Sequence, residues 1–573
     1  MPRSEKLPHH TVCSNIIGSC LGVLNKTEMT SPADRDPGHA DDMPPRQASV
    51  VSALFWYLLL VLVLVSLYWR VTVVEPLPTN FHLPRYYAGM VHARMMWLHL
   101  HPGERTTMET EWLDANPRPF GEPPLLETLT VLVCMPWGSI QPRIACMITC
   151  LAWFIGGWFV FQTAMLIVKN RFAALAALAF YLLCPLAIIM SQMFQPEGLM
   201  TLALVIAIWL LVRFPPDQNW KRTFLLALAC GIAGFVKPGI LYCPILGAYL
   251  GMRLSKESLT RVVTDGRSLL FAMVTLIPSV AWVLVFLRDR VAGKLLQVLL
   301  LDLDFYVSWF QRIDETLGWW VMVLLVIGAY AMVRRYHLAL GWGLIGGYLL
   351  YGAAFPWHIA THNYYQVPLI PIVALCLAAS VAFALERFGF PNIKKRTAVV
   401  AVLVALAVIF WYPGRSRRMV RLDHRVDVVE FFGLDRIQQH VSPNTVVLCV
   451  DPLSGYELVY HCWLNAYRWP RAGDYNKELR QTGTALSTEE RFAKMVALHD
   501  PQFFIITSRI HLQLLTALLD LESRSERARL IESLSIPMKY ELQILLFLEK
   551  RYPRLVLDER FVIYDLRGDV KNE

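Results

Sequence analysis

The sequence predicts a polytopic α-helical membrane protein of about eleven (11–13) transmembrane helices, followed by a C-terminal extracytoplasmic α/β domain. Three observations predict it. Of 573 residues, 55% are hydrophobic and only 17% charged, whereas a soluble domain carries about 25% charged residues. Long apolar runs recur between residues 51 and 411. Short basic clusters separate these runs, which is the pattern of cytoplasmic loops. The same clustering means that the net charge of +9 is no nucleic-acid footprint.

Residues 1–50, with "SPADRDPGHADDMPPRQ", read as a disordered segment rich in Pro, Asp and Arg. No apolar stretch precedes Ala48, so no signal peptide is expected, and Met29 or Met43 are alternative starts. A membrane domain is expected over 51–412. Its first span is Val51–Val73, and a polar outer loop, 74–123, follows. Leu125–Trp137 has about thirteen residues, short of the roughly 20 a crossing needs, and reads as a re-entrant or interfacial helix. Further spans are expected over Ile144–Val168, Phe172–Met190, Leu199–Val212, Phe224–Phe235, Ile240–Met252, Leu269–Leu287, Trp319–Val333, Leu338–Pro356, Val367–Leu385 and Val399–Trp411. The basic stretches "VKNR", "RFPPDQNWKR", "MRLSKESLTRVVTDGR", "RRYH" and "ERFGFPNIKKRT" all fall on one side if the N-terminus is cytoplasmic. A second large outer loop, 288–318, carries Asp302 and Asp304 in an apolar context and reads as an amphipathic helix or lid.

Residues 414–573 are expected to form the soluble α/β domain. "NTVVLCV", "QFFIITS" and "RFVIYDL" read as strands; "TEERFAKMVALH" and "SERARLIESL" read as helices. The eleven cysteines include no CxxC. Cys449 and Cys462 could pair as a disulfide in an extracytoplasmic domain, with buried free thiols as the alternative.

Ionisable groups at membrane depth point to function, and several collect on the outer side of this topology. Glu122 precedes Pro123 and Pro124 in "FGEPPLLETL"; Glu197 follows a proline in "FQPEGLM". Either carboxylate could be a plain acidic helix cap. Lys237 interrupts an apolar stretch in "GFVKPGI", where Pro and Gly break the helix; snorkelling to the interface is the alternative. "THNYYQVP" offers His362, Tyr364 and Tyr365, with an aromatic belt as the alternative reading of the tyrosines. "NFHLPRYYAGMVHARMM" offers His82, Arg85, Tyr86, Tyr87, His92 and Arg94, on a stretch compatible with an amphipathic helix over 85–96. There is no phosphate-binding glycine loop, dinucleotide fingerprint or His/Cys ligand cluster, so ATP-driven transport and redox chemistry are not indicated. Basic groups beside carboxylates at head-group depth suit a phosphorylated lipid.

At these residues the chain resembles the GT-C class of membrane glycosyltransferases, in the branch of protein O-mannosyltransferases and the lipid A aminoarabinose transferase (glycosyltransferase family 39-like). The resemblance runs from about Val51 to Trp411 and rests on the order of a first span, a long outer loop, "GEPPLLETL", "PE" opening a later helix, a "KP" break and "YYQVPLIP". It implies a polyprenyl-phosphate sugar donor, no nucleotide, and an extracytoplasmic acceptor that is a lipid, glycan or protein, in a bacterial inner membrane. It makes Glu122 and Glu197 the family's acidic residues, Arg85 a ligand of the donor phosphate, and Tyr364 or Tyr365 a tyrosine of the same site. Lys237 and His362 join the phosphate-binding set.

Three positions depart from the pattern. The family's Asp-Glu after the first span is replaced by His82 and Leu83, and the lysine after its glutamate by Pro123. That aspartate is the usual catalytic or metal-linked acid. The base is therefore His82, Glu122 or Glu197, and the cofactor is unknown, a divalent cation being one alternative. A non-catalytic lipid-glycan binding protein or transporter on the same scaffold is the alternative function.

Overall fold

The computed structural model describes residues 45–71, 83–116, 120–216, 219–286, 297–387 and 428–568, the last with short gaps around 472–485 and 522–535. His82, the expected span Val399–Trp411 and the segment 1–44 lie outside the described residues. The chain divides into two compact units, Met1–Trp56 and Tyr57–Glu573. The second contains the candidate site and the sheet region.

Helices form where apolar runs have a capping residue or proline at the start and a breaker at the end. We number α1 Pro45–Val71, α2 Leu83–Leu100, α3 Thr107–Ala115, α4 Leu125–Cys134, α5 Pro142–Val168, α6 Arg171–Leu183, α7 Glu197–Arg213, α8 Trp220–Phe235, α9 Tyr242–Leu254 and α10 Gly266–Phe286. These are followed by α11 Leu303–Thr316, α12 Trp320–Tyr336, α13 Leu340–Ala354 and α14 Leu369–Arg387. Pro142 opens α5 at a position where its missing N–H costs nothing. Asn170 caps α6 by accepting from Phe172 and Ala173 N–H. Thr106 and Glu109 make a reciprocal capping box on α3.

By length and composition, four helical stretches among the described residues can cross a membrane: Ser52–Val71, Pro142–Val168, Gly266–Phe286 and Asn363–Arg387. The pair α11 and α12, bent by 91°, makes a fifth if it is one span. Most of the other expected spans are apolar helices of 13 to 17 residues, such as α6 and α7. They fall short because prolines and glycines cut them. The expected continuous span Phe172–Met190 is one correction: Pro185 forces Cys184 out of the helical region (φ −53°, ψ 125°), and a separate short helix, Pro185–Met190, follows. Leu125–Trp137 is short, ending in a 3₁₀ turn at Met135–Trp137.

Backbone contact between α9 and α13 is close. Gly247 and Gly251 face Gly343 and Gly347, and a Cβ on Gly247 would lie 2.9 Å from the Gly347 Cα. A pair of small-xxx-small stripes packs in this way because the contact energy comes from helix backbones meeting.

The C-terminal region holds a five-stranded sheet: β1 Val446–Val450, β2 Asn465–Arg468, β3 Phe503–Ile506, β4 Arg554–Leu557 and β5 Val562–Asp565. Strand order is β2-β1-β3-β5-β4. β1 runs parallel to β2 and β3, with Val447 opposite Ala466 and Phe503. β5 is antiparallel to both β3 and β4. Leu448, Phe504 and Tyr564 are fully buried among helices Thr488–His499, Arg509–Asp520 and Ile536–Arg551. Cys449 and Cys462 are both buried as thiols, and no disulfide joins them.

The sheet region docks on the first outer loop. His461, at the end of the short helix Tyr456–His461, lies 3.3 Å from the Tyr87 hydroxyl, and Asn116 of that loop donates to Asn465.

Candidate functional site

Three interruptions of helical structure converge. Pro123 and Pro124 hold Glu122 ahead of α4; a proline sets Glu197 as the first residue of α7; and the break between α8 and α9 carries Lys237. Gly239 permits that break with φ +87°. A fourth piece, the 3₁₀ turn Asn363–Gln366 before α14, brings Tyr364 and Tyr365. Arg85 reaches in from the first turn of α2.

The charges alternate. Arg85 Nη2 donates to Glu122 Oε2 at 2.6 Å, and Nη1 donates to the Tyr364 hydroxyl at 3.2 Å. Lys237 Nζ lies 3.8 Å from Glu122 Oε1 and donates to Glu197 Oε1. The Arg85 guanidinium sits 5.1 Å from the Tyr364 ring centre, and Lys237 Nζ 5.3 Å from it. Two cations thus face two carboxylates over an aromatic floor. Exposure falls steeply along the row: 29% for the Arg85 side chain and 27% for Glu122, but 1% for Lys237 and 0% for Glu197. Glu197 Oε2 has no hydrogen-bond partner.

His362 stacks beside this floor, its ring centre 5.5 Å from Tyr364 and 5.9 Å from Tyr365. Its Nδ1 is 2.7 Å from the Thr361 hydroxyl. Burial, then the Arg85 charge, with Arg312 adding to them against the His358 carbonyl, pushes its pKa down to about 4. The imidazole is therefore neutral at physiological pH.

Of the residues expected from sequence, Arg85, Glu122, Glu197, Lys237, His362, Tyr364 and Tyr365 come together. Arg94 does not: it points to the C-terminal region, 4.0 Å from the Tyr460 ring centre. Two residues escaped the sequence reading. Burial, with the Glu122 and Glu197 charges adding to it against Arg85, pushes the pKa of Glu127, half-buried in the first turn of α4, up to about 7. Its signal was a second acid within "GEPPLLETL" at the head of an apolar helix. Arg312 of α11 donates to the Ala360 carbonyl at 3.3 Å and to Asn363 at 3.4 Å, tying α11 to the His362 turn. No comparable sequence signal marks it.

Residues 122–282 match the family model of dolichyl-phosphate-mannose-protein mannosyltransferases. No curated protein matches the chain. Among solved structures, ArnT from Cupriavidus metallidurans bound to undecaprenyl phosphate superposes with a TM-score of 0.50 at 13% identity, over 88% of this chain and 97% of that one. The Archaeoglobus fulgidus oligosaccharyltransferase tethered to an acceptor peptide gives 0.50 at 12% identity, over 79% and 69%. The fold is that of the GT-C class of membrane glycosyltransferases.

Proposed function

We propose that this GT-C fold transfers a sugar from a polyprenyl-phosphate donor to the hydroxyl of an extracytoplasmic acceptor. The observation that carries the reading is the row Arg85–Glu122–Lys237–Glu197 over Tyr364. The neighbour with undecaprenyl phosphate bound supports a lipid-phosphate ligand for this fold.

The row assigns different work to its members. Arg85 has donors to spare beyond Glu122 and can grip a phosphate bidentately. Lys237 adds a second positive charge, held in place by the fully buried Glu197. Glu197 is out of an acceptor's reach and acts as a positioning residue. Glu122 is the accessible carboxylate. Locked between two cations it is a weak base; a donor phosphate drawing on the same cations loosens it. Glu122 then takes the acceptor hydroxyl proton while the acceptor oxygen bonds to the anomeric carbon. The bond from that carbon to the phosphate oxygen breaks, and its electron pair leaves on the polyprenyl phosphate. Attack from the opposite face gives inversion. Arg85 and Lys237 stabilise the charge developing on the leaving phosphate. Tyr364, Tyr365 and neutral His362 form a surface on which the sugar can stack.

The described donors do not suit a divalent cation. Glu122 and Glu197 each already face a cation, and no group of three or more His, Cys, Asp or Glu that could hold a metal occurs among the described residues. No step of the proposed reaction uses a metal or a nucleotide. On this reading the protein lies in a bacterial inner membrane, with N-terminus cytoplasmic and the sheet region outside.

The test is transfer from radiolabelled polyprenyl-phosphate sugars to membrane extract by the purified protein. Wild type should transfer from at least one donor, and Glu122→Gln should lose about 10²–10⁴-fold in rate. No transfer from any donor, or wild-type rates in Glu122→Gln, overturns the reading.

A further inference from the structure

Away from the charge row, a cavity of about 280 Å³ opens where the first outer loop, the turn after α4 and the C-terminal region meet. That volume lies just below the range of drug-sized ligand pockets, about 300–1,000 Å³, and suits a small ligand. Its walls are aromatic. Trp97 of α2 stacks on His101 at 4.1 Å, and Trp463 packs edge-on against buried Trp112 at 5.2 Å. Trp463 is held with φ +57°, a conformation rare for a bulky side chain and tolerated where the surroundings enforce it.

The charges in its wall are balanced and mostly occupied. Arg94 lies against the Tyr460 and Trp463 rings, 4.0 and 4.1 Å from their centres. Arg105 Nε donates to the Leu98 carbonyl, and the Glu109 carboxylate accepts from the Thr106 N–H and hydroxyl. Two arginines offset by Glu104 and Glu109 give no net attraction for an anion. What remains on offer is indole faces, the Glu104 carboxylate and the Ser139 hydroxyl. Flat aromatic faces with a few hydrogen-bonding groups and no net charge suit a neutral sugar, whose C–H faces stack and whose hydroxyls bond.

We infer that this cavity is a saccharide subsite, and that the acceptor is a glycan. The second half rests on the transferase reading; the first does not. Trp97 stands twelve residues beyond Arg85 on α2, a rise of about 18 Å. The subsite would therefore hold a sugar several units away from the reacting hydroxyl, as a register grip on a chain.

The experiment uses the purified full chain in detergent and ligand-observed NMR with mannose, glucose, galactose, N-acetylglucosamine and their disaccharides, plus inorganic phosphate. At least one saccharide should bind saturably and phosphate should not displace it. Trp97→Ala and Ser139→Leu, both at the cavity edge, should weaken binding at least tenfold with unchanged melting temperature. Glu122→Gln should bind as wild type does, so a failure of transfer leaves the subsite standing and a failure of binding leaves transfer standing. Absence of saturable binding by every saccharide, displacement by phosphate, or wild-type affinity in both cavity variants overturns the subsite.

Discussion

Glu122 and Glu197 carry the same carboxylate under opposite conditions, one over a quarter exposed and bridging two cations, the other sealed against Lys237. Their variants should separate accordingly. Lys237→Met leaves Glu197 buried and unpaired, so it should destabilise the protein by about 3–5 kcal/mol. Adding Glu197→Gln should recover most of that loss in the melting temperature while activity stays low. Two nearby groups give pH slopes of opposite sign. His362 is held below its ordinary pKa, so its contribution is complete above about 6.5 and is lost as pH falls toward about 4. Glu127 is held above the ordinary carboxylate value, so its contribution is complete below about 4.5 and is lost as pH rises toward about 7. Melting curves from pH 4 to 8 should lose the acid slope in His362→Gln and the neutral slope in Glu127→Gln. The charged residues of the site were legible because a charge inside an apolar run is conspicuous. Their pairing was not, since Arg85–Glu122 spans 37 positions and Lys237–Glu197 spans 40.

Helix breaks, more than helices, build the site. Glu122, Glu197 and Lys237 all sit beside a proline, where the backbone leaves its own hydrogen-bond ladder. This was readable from sequence, as were β1, β3 and β5, whose β-branched and aromatic runs announced them. β2, "NAYR", and β4, "RLVL", were not, because four-residue strands with polar members carry little pattern. The length of Phe172–Met190 misled for a different reason: hydropathy counts residues across Pro185, which the helix does not cross. The glycine contact between α9 and α13 is the element most exposed to substitution. Gly347→Leu should prevent α9 and α13 from closing, seen as loss of monodisperse protein on size exclusion, whereas Gly346→Leu, with open space at its Cβ position, should be tolerated.

On the scale of the whole molecule, the sheet region touches the loop that carries Arg85, through Tyr87, Arg94 and Asn116. Loop and sheet must therefore share one face of the membrane. A reporter fused after Asp565 should be active only outside the cytoplasm, and activity inside would place both on the wrong side. The balance of two cations and two carboxylates at the site has a further consequence. A polyprenyl-phosphate sugar carries one negative charge and the released phosphate up to two, since its second ionisation lies near pH 6. The extra charge equals the proton left on Glu122, and that proton can depart with the phosphate. On the proposed reaction each turnover is electroneutral, so the rate should ignore the membrane potential, and an enzyme fed only by lipid diffusing in the outer leaflet needs no ion gradient to reset.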